Sequence, residues 1–336
     1  MKFLIASHHT PWTVGVSCKR ALEQLGCQAD TFYLNASTNI VEKAINGIRP
    51  RIRNISSSGD KLWEKIINKK LIKKVKDSNP DVLFVIRGEE LYAETLERIK
   101  DEHKIRIITW WTEPRLEHKY YLESLPLYDF ILSFDKAHIP KMKEYGARNA
   151  YYLPLACDPE IHRSIVLSAK EKKLYEHDIS SCGAINLTRI DVFKTISDFD
   201  FAIWGKDWPR IIKSEGLLKN FKGVIKGEDV ARVYNASKIA LNVHHPDTIS
   251  GANARTFEIP ACGILEIVDY KSSIEELFVV GKEIICYKDK RELKDLIQHY
   301  LSHPDERMEI ARNGYEKAHK EHRYIDRMQY LLSILK

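Results

Sequence analysis

The stretch AYYLPLACDPEIH, residues 150–162, decides the fold because one series of strand–helix units ends there and a second begins. The strand-length runs on both sides are rich in β-branched and aromatic residues, and helix-length segments separate most of them. Repeated alternation of this kind predicts parallel sheets covered by helices on both faces, an α/β protein. The runs lie at residues 3–7, 29–34, 81–86, 105–110 and 129–134, and then at 178–184, 199–204, 238–244, 263–268 and 283–287. The stretch 150–162 itself begins with a strand, which a proline-bounded linker follows.

The length of the chain, 336 residues, exceeds what one core usually needs and suits two domains. The restart of the pattern predicts a first domain over residues 1–157 and a second over 158–318. Residues 319–336 are predicted to form a C-terminal helix that packs back on the first domain. Because ligands of open α/β sheets bind beyond the carboxyl ends of the strands, we expect the two sheets to face a shared cleft.

The composition fits a folded enzyme, with 44% hydrophobic and 30% charged residues. Apolar runs are shorter than the ~20 residues that span a bilayer, and the start of the chain lacks a signal-peptide pattern. We therefore expect a cytoplasmic protein. Six cysteines without a CxxC pair indicate structural thiols and exclude a disulfide framework.

The formal charge of +6 suits an anionic ligand such as a nucleotide diphosphate. It does not indicate nucleic-acid binding, because the basic residues are not interleaved with aromatic ones in a known motif. Residues 61–76, KLWEKIINKKLIKKVK, form an amphipathic pattern that predicts a sheet-covering helix. The alternative is peripheral contact of its lysines with the inner face of the membrane. The apolar face comprises Trp63, Ile66, Ile67, Leu71 and Val75.

Residues 242–263, NVHHPDTISGANARTFEIPACG, carry the richest chemistry. They leave a strand, pass through a loop and enter a helix near residue 254, whose first backbone N–H groups are unpaired and suit a phosphate. Gly251 permits close backbone approach, and Arg255 lies in the first turn. Glu258 follows one turn later, where a carboxylate can accept both hydroxyls of a ribose. The alternative is an ordinary Arg255–Glu258 pair on an exposed helix face.

The segment GANARTFEIPACG, residues 251–263, resembles the donor-binding motif of the GT-B glycosyltransferases. More narrowly, it resembles the group typified by the spore-maturation protein CgeB. The resemblance implies two Rossmann-like domains and extends over most of the chain. It includes LPLACDP at 153–159, HDISSCGAI at 177–185, WGKDW at 204–208, HRYIDR at 322–327 and TWWTEP at 109–114.

The resemblance also implies roles for individual residues. Glu258 would hold the donor ribose, Asn253 and Arg255 would lie near the diphosphate beside Gly251, and Lys206 would lie close to the nucleotide. The donor would be a UDP- or GDP-sugar, with no further cofactor. Related retaining enzymes often have a second glutamate eight residues before the ribose glutamate, where this chain has Ser250. Retention or inversion of configuration therefore stays open.

The acceptor side should belong to the first domain, where polar residues follow predicted strands. Glu113 and His9 each come after such a strand, and either side chain can act as a general base. We expect no metal, because no DxD-like carboxylate pair lies in a suitable loop. The neighbouring His244 and His245 would point to opposite faces of a strand, which makes them poor joint ligands.

These features together predict a metal-independent glycosyltransferase of the hexosyltransferase class. Its partners would be a nucleotide sugar and an acceptor that is a glycan, a lipid-linked glycan or a protein. Two alternatives stay open. One is a nucleotide-sugar epimerase of the same architecture, and the other is a non-catalytic nucleotide-sugar-binding protein, which Ser250 makes plausible.

Overall fold

The computed structural model of the chain describes residues 1–8, 13–37, 42–43, 58–206, 208 and 215–336. It divides into two compact units, one formed by Met1–Leu153 together with Met328–Lys336 and the other by Pro154–Arg327. The boundaries expected near residues 157 and 318 stay predictions about separate domains, since a compact unit need not fold by itself.

The first unit is built on a six-stranded parallel sheet with the strand order β2-β1-β3-β4-β5-β6. Every residue of its third strand, VLFVI, is buried, as expected where helices cover both faces of a parallel sheet. The order of the strands reverses between β1 and β3, and that reversal is the switch point at which such sheets bind ligands. The strands are β1 Lys2–Ser7, β2 Gln28–Tyr33, β3 Val82–Ile86, β4 Arg106–Trp111, β5 Phe130–Ser133 and β6 Ala150–Tyr152.

The second unit repeats this plan with a six-stranded parallel sheet in the order β12-β11-β10-β7-β8-β9. This is the doubly wound order of a dinucleotide-binding fold, and its switch point lies between β7 and β10. The strands are β7 His177–Cys182, β8 Phe201–Trp204, β9 Phe221–Gly223, β10 Ser237–Asn242, β11 Leu265–Asp269 and β12 Ile285–Tyr287. The strands expected from the sequence are confirmed within two residues at either end, and only the three-residue β9 was not anticipated.

Helices alternate with these strands along both units. In the first unit they are α1 Val14–Gln24, α2 Ser58–Ser78, α3 Ala93–Glu102, α4 Lys119–Ser124 and α5 His138–Glu144, with a 3-10 turn at Leu125–Leu127. The second unit contains α6 Ala169–Tyr175, α7 Leu187–Thr195, α8 Glu228–Asn235, α9 Arg255–Ala261, α10 Ile274–Leu277, α11 Lys290–Ser302 and α12 Pro304–Glu321. A last helix, α13, runs from Tyr324 to Ile334. None of the described helices has the length and apolarity to cross a membrane.

Helix α2 confirms the sheet-covering interpretation of residues 61–76. Trp63, Ile67, Leu71 and Val75 recur every four residues and so share one face, and all four are fully buried in the core of the first unit. That apolar face is therefore not available to a membrane. All six cysteines are free thiols, as predicted, and four of them are buried.

Candidate functional site

The carboxyl ends of β7 and β8 approach each other closely in the second unit. A Cβ atom on Gly205 would lie 2.0 Å from the Gly183 carbonyl oxygen, so no side chain fits there, and the φ of Gly205 is +156°. The Trp208 indole N–H donates to that same carbonyl at 2.9 Å. The glycines of the SCGAI and WGKDW segments thus let two backbones meet at this edge of the sheet.

Arg189 spans the switch point of the second sheet. Asn186 caps α7 by accepting from the Arg189 backbone N–H at 2.8 Å, which fixes where the side chain begins. The guanidinium donates to the Val243 carbonyl, just after β10, at 3.0 and 3.2 Å, and to the Ala184 carbonyl after β7. Burial, reinforced by the nearby Arg255 guanidinium, lowers the pKa of Arg189 to about 10. No described carboxylate forms an ion pair with it. Sequence reasoning missed this residue, because its partner Val243 comes from a distant segment.

Arg255 and Glu258 lie on the first turns of α9 and pair with each other. The Arg255 guanidinium donates to a Glu258 carboxylate oxygen and, through Nε, to the Cys182 carbonyl at 3.1 Å. The Glu258 side chain is only 12% exposed, so the alternative of a pair on an exposed helix face is wrong. Burial alone would raise the pKa of Glu258, but Arg255 and His162 together lower it, and the group is a carboxylate at neutral pH.

His162 approaches the other oxygen of Glu258. Its Nδ1 accepts from the Asp158 backbone N–H at 3.1 Å, so the ring proton belongs on Nε2, which lies 3.7 Å from the Glu258 carboxylate. Burial lowers the pKa of His162 in spite of the opposing pull of Glu258, which keeps the ring neutral. Glu258 therefore has a cation on one side and a neutral N–H on the other.

The other predicted donor residues differ in their surroundings. Gly251 is buried within the loop before α9. Asn253 exchanges two side-chain hydrogen bonds with Asn242, at 2.9 and 3.0 Å, so its amide is already engaged within the protein. Lys206 is exposed in the bend after β8 and pairs with no described carboxylate.

The switch point of the first sheet begins with an unusual turn directly after β3. Arg87 and Gly88 both have left-handed backbones, with φ of +73° and +93°. A Cβ on Gly88 would lie 2.5 Å from the Val85 side chain, so only glycine fits. A non-glycine residue held in this conformation is a strain that often accompanies a functional site.

Charged side chains gather on this turn. The Glu90 carboxylate lies 2.6 Å from Nε2 of His8, the residue that follows β1. Arg87 pairs with Glu89 and, at 2.8 Å, with Glu113. The remaining carboxylate oxygens of Glu89 and Glu90 and the Arg87 Nε are buried without a hydrogen-bond partner among the described residues. Buried polar atoms of this kind call for a ligand or water.

The pKa values of His8 and Glu90 move in opposite directions. Burial works against both charged forms, but the hydrogen bond between them outweighs it. The pKa of His8 is raised and that of Glu90 is lowered. The pair therefore favours an imidazolium beside a carboxylate as the pH falls toward the pKa of His8.

Two of the predicted catalytic residues have different outcomes at this edge. Glu113 lies here in contact with Arg87, while His9 lies outside the described residues. Sequence reasoning missed Arg87, Glu89 and Glu90. The string RGEE follows the apolar run VLFVI directly, and the rule that drew attention to Glu113 would have found it.

A metal ion has a candidate set of ligands in this cluster. One ligand atom from each of His8, Glu89 and Glu90 lies within 4.8 Å of the others, and this is the one such group among the described residues. The guanidinium of Arg87 already neutralises Glu89 and would compete with a cation. Metal independence stays a prediction.

Comparisons with known proteins bear on the family and the fold of this chain. Residues 189–333 match the model of a family described as glycosyl transferase-like. The spore protein CgeB of Bacillus subtilis is 24% identical over 262 residues, which cover 73% of this chain and 80% of CgeB.

Two solved structures share the fold over the whole chain. One is HepE from Anabaena in complex with UDP, with a TM-score of 0.63 and 12% identity, covering 100% of this chain and 99% of HepE. The other is a putative UDP-N-acetylglucosamine 2-epimerase from Listeria monocytogenes, with a TM-score of 0.60 and 11% identity, covering 100% and 96%. The architecture is the GT-B fold.

Proposed function

We propose that this chain transfers a sugar from a nucleotide-diphosphate donor. The chain is a relative of CgeB with the GT-B fold, and its residues 189–333 match the glycosyl transferase-like family. The second unit would bind the donor and the first unit would bind the acceptor. HepE was solved in complex with UDP, which supports UDP as the first nucleotide to test, with GDP as the second. A hexose is the sugar we propose.

One observation carries this proposal: Arg189 is a half-buried cation at the switch point, with a lowered pKa and no ion-paired carboxylate among the described residues. A diphosphate is the anion that its planar donors suit, because guanidinium groups bind phosphate oxygens in pairs. Arg255, held beside it, would supply the second cation. With two guanidinium groups present, the diphosphate needs no divalent metal for neutralisation.

Glu258 would accept the ribose hydroxyls of the donor. Its carboxylate is charged, buried and fixed by Arg255 and His162, so it is ordered before the ligand arrives. Gly251 and Asn253 would shape the loop that approaches the phosphates, and Lys206 would reach the nucleotide from its exposed position after β8.

The acceptor hydroxyl would be deprotonated at the switch point of the first sheet. In an inverting reaction its oxygen attacks the anomeric carbon, the bond from that carbon to the diphosphate oxygen breaks, the nucleotide diphosphate leaves, and the hydroxyl proton passes to a base. Glu113 and His9 are the predicted bases. The His8–Glu90 pair is a third candidate, and its imidazole must be neutral to accept the proton.

Kinetics of Glu113→Gln combined with the stereochemistry of the product decide the role of Glu113. An inverting enzyme that keeps most of its kcat in this variant would eliminate Glu113 as the base. In a retaining enzyme no such base is required, and the substitution would mainly raise the KM for the acceptor.

The function is tested by incubating the protein with a panel of UDP- and GDP-sugars, with and without cell extract. Release of nucleotide that depends on the extract supports transfer to an acceptor. Isomerisation of the sugar without extract supports an epimerase instead, a second candidate favoured by the fold shared with the Listeria protein. Binding without turnover in either condition supports a sensor or scaffold.

Contact with an anionic membrane surface through residues 61–76 is also a proposal, together with a location in the cytoplasm. It rests on the lysine-rich face of α2, because the apolar face is buried in the core. The exposed lysines of that face are Lys61, Lys65, Lys69, Lys73 and Lys76. Sedimentation with vesicles containing anionic lipid, compared with neutral vesicles, tests it.

A further inference from the structure

His244 is the second residue after β10 and is 1% exposed, and its backbone N–H and both ring nitrogens have partners. Its backbone N–H and its Nδ1 both lie against one carboxylate oxygen of Asp269, at 2.7 and 2.8 Å. Its Nε2 lies 3.1 Å from the backbone nitrogen of Asn253, nine residues further along the loop. One imidazole therefore ties both ends of the loop to the end of β11.

The direction of these bonds fixes the tautomer of the ring. The Asn253 N–H is a donor, so Nε2 must accept and carries no proton. The proton then lies on Nδ1 and is donated to Asp269, whose pKa is lowered: burial would raise it, and the contacts with His244 outweigh that effect. Asp269, His244 and Asn253 form a chain of hydrogen bonds with a single polarity.

Asn253 is held from its other side as well. Its side chain is paired with Asn242 and lies 3.3 Å from the backbone N–H of Thr256, at the start of α9. Asn242 in turn donates at 2.8 Å to Glu266, a fully buried carboxyl whose pKa is raised by burial. The residue that precedes the first turn of α9 is thus fixed on two sides.

We propose that His244 and Asp269 are positioning residues for donor binding, which hold Asn253 so that Arg255 and Glu258 meet the nucleotide in a fixed geometry. This proposal rests on the function proposed above. Arg255 is two residues beyond Asn253, so a shift of the loop would move its guanidinium away from Cys182 and from the diphosphate.

Two amide substitutions of His244 test the contacts of its two ring nitrogens separately. The amide of His244→Asn occupies the position of Nδ1 and can still donate to Asp269, but it does not reach Asn253. The amide of His244→Gln reaches the position of Nε2, and its oxygen can accept from the Asn253 N–H. We expect His244→Asn to weaken UDP binding about tenfold in calorimetric titration, and His244→Gln to stay within about threefold of the wild type.

A second pair of variants, at Asp269, tests the other end of this chain of hydrogen bonds. Asp269→Asn keeps an oxygen that can accept from His244, whereas Asp269→Leu has none. We expect Asp269→Asn to bind UDP nearly as the wild type does and Asp269→Leu to resemble His244→Asn. Equal affinity in His244→Asn and the wild type would overturn the proposal, as would equal losses in both members of each pair.

Two measurements need no ligand, so they remain informative if the protein binds neither UDP nor GDP, a result that would reject the proposed function. Amide hydrogen exchange of residues 250–257 should accelerate in His244→Asn and not in His244→Gln, at matched Tm. In the wild type, nitrogen chemical shifts should identify a His244 ring protonated on Nδ1 alone. The opposite tautomer would overturn the proposal even if every variant failed to fold.

Discussion

The two switch points differ in the strand order around them and in charge. At the second sheet, Arg255 pairs with Glu258, while Arg189 has no ion-paired carboxylate among the described residues, although the Asp269 carboxylate acts on it electrostatically. At the first sheet, three carboxylates surround one guanidinium and one imidazole. Under the proposed function, the edge of the second sheet would hold an anion and the edge of the first would receive a proton. Chemistry belongs to the side chains at the edge of the sheet and not to the sheet itself.

The two edges also differ in how well their polar atoms are satisfied. Around Glu258 and Asn253 the described side chains form two hydrogen-bonded groups, Arg255 with Glu258 and Asn253 with Asn242 and Glu266, and one Glu266 oxygen is buried without a partner among the described residues. Around Glu90 three buried atoms lack a partner among those residues, and the backbone of Arg87 is strained. The edge with more of its polar atoms paired is the more organised before a ligand binds, whereas the strained edge depends more on what binds there.

Removal of Glu258 should weaken UDP binding more than any other change that distinguishes the two edges. Two charge-assisted hydrogen bonds to the ribose, worth ~1.5–3 kcal/mol each, would be lost in Glu258→Ala, which should weaken UDP binding by roughly two to three orders of magnitude. Calorimetry measures this loss, and Glu258→Gln should lose only part of it.

The ligand provides the matched control. Wild type should bind 2′,3′-dideoxy-UDP much more weakly than UDP, whereas Glu258→Ala should no longer distinguish them. A dissociation constant for UDP within about threefold of wild type would reject the ribose assignment.

Loss of Arg189 should have the next largest effect. Arg189→Met keeps a long side chain in the half-buried position but removes the charge, so binding of UDP should weaken by about one to two orders of magnitude. Uridine, which has no phosphates, should bind Arg189→Met and wild type alike. Equal weakening of uridine and UDP would mean that Arg189 supports the fold of the edge and not the diphosphate.

The edge of the first sheet should respond to pH through His8 and Glu90. Glu90→Gln should lower the pKa of His8, followed by its imidazole signals in an NMR titration. Because the pKa of His8 is raised on folding, its stabilisation is present below the unfolded value of about 6.5 and is lost as the pH rises through the folded value. The lowered pKa of Glu90 gives stabilisation above about 4.5 that is lost at more acidic pH.

The free energy of unfolding should therefore differ most between wild type and Glu90→Gln at about pH 4.5–6.5, and less at pH 8. Glu113→Gln is the control, since Glu113 contacts Arg87 and not His8. If Glu113→Gln lowered the pKa of His8 as much as Glu90→Gln did, the contact between His8 and Glu90 would not be the cause of the raised pKa of His8.

Chelation should have the smallest effect. With two guanidinium groups for the diphosphate, EDTA should leave UDP affinity and donor turnover unchanged within error. If EDTA abolished turnover and magnesium or manganese restored it, the prediction of metal independence would be wrong. His8, Glu89 and Glu90 would then be the first ligands to test.

The sequence predicted the strands because buried parallel strands are continuous apolar runs, and it failed at β9, which has only three residues. It identified Arg255 and Glu258 because both lie in one loop-to-helix segment whose spacing can be read directly. It could not identify Arg189 or His162, which reach the same site from other parts of the chain. Only packing shows that His162 faces Glu258.

At the edge of the first sheet, sequence reasoning predicted Glu113 and missed the other charged residues of the cluster. Glu113 was expected at a strand end and lies there, but its contact with Arg87 depends on the left-handed turn after β3. Apolar periodicity carries no information about such a turn. The single glycine in RGEE was the available sign, because a glycine beside charged residues after a buried strand indicates a constrained backbone.

The way the chain is shared between the units has a consequence for its synthesis. The first unit contains residues 328–336, and Met328, Leu331 and Leu335 of that segment are buried, while the Arg106 guanidinium donates to the Leu335 carbonyl. A ribosome makes all six strands of the first sheet early but delivers this segment only after the whole second unit. The first unit therefore emerges first but is completed last, when the segment 328–336 packs against it. In a released chain truncated after residue 327, we expect the second unit to resist protease while the first is still cleaved.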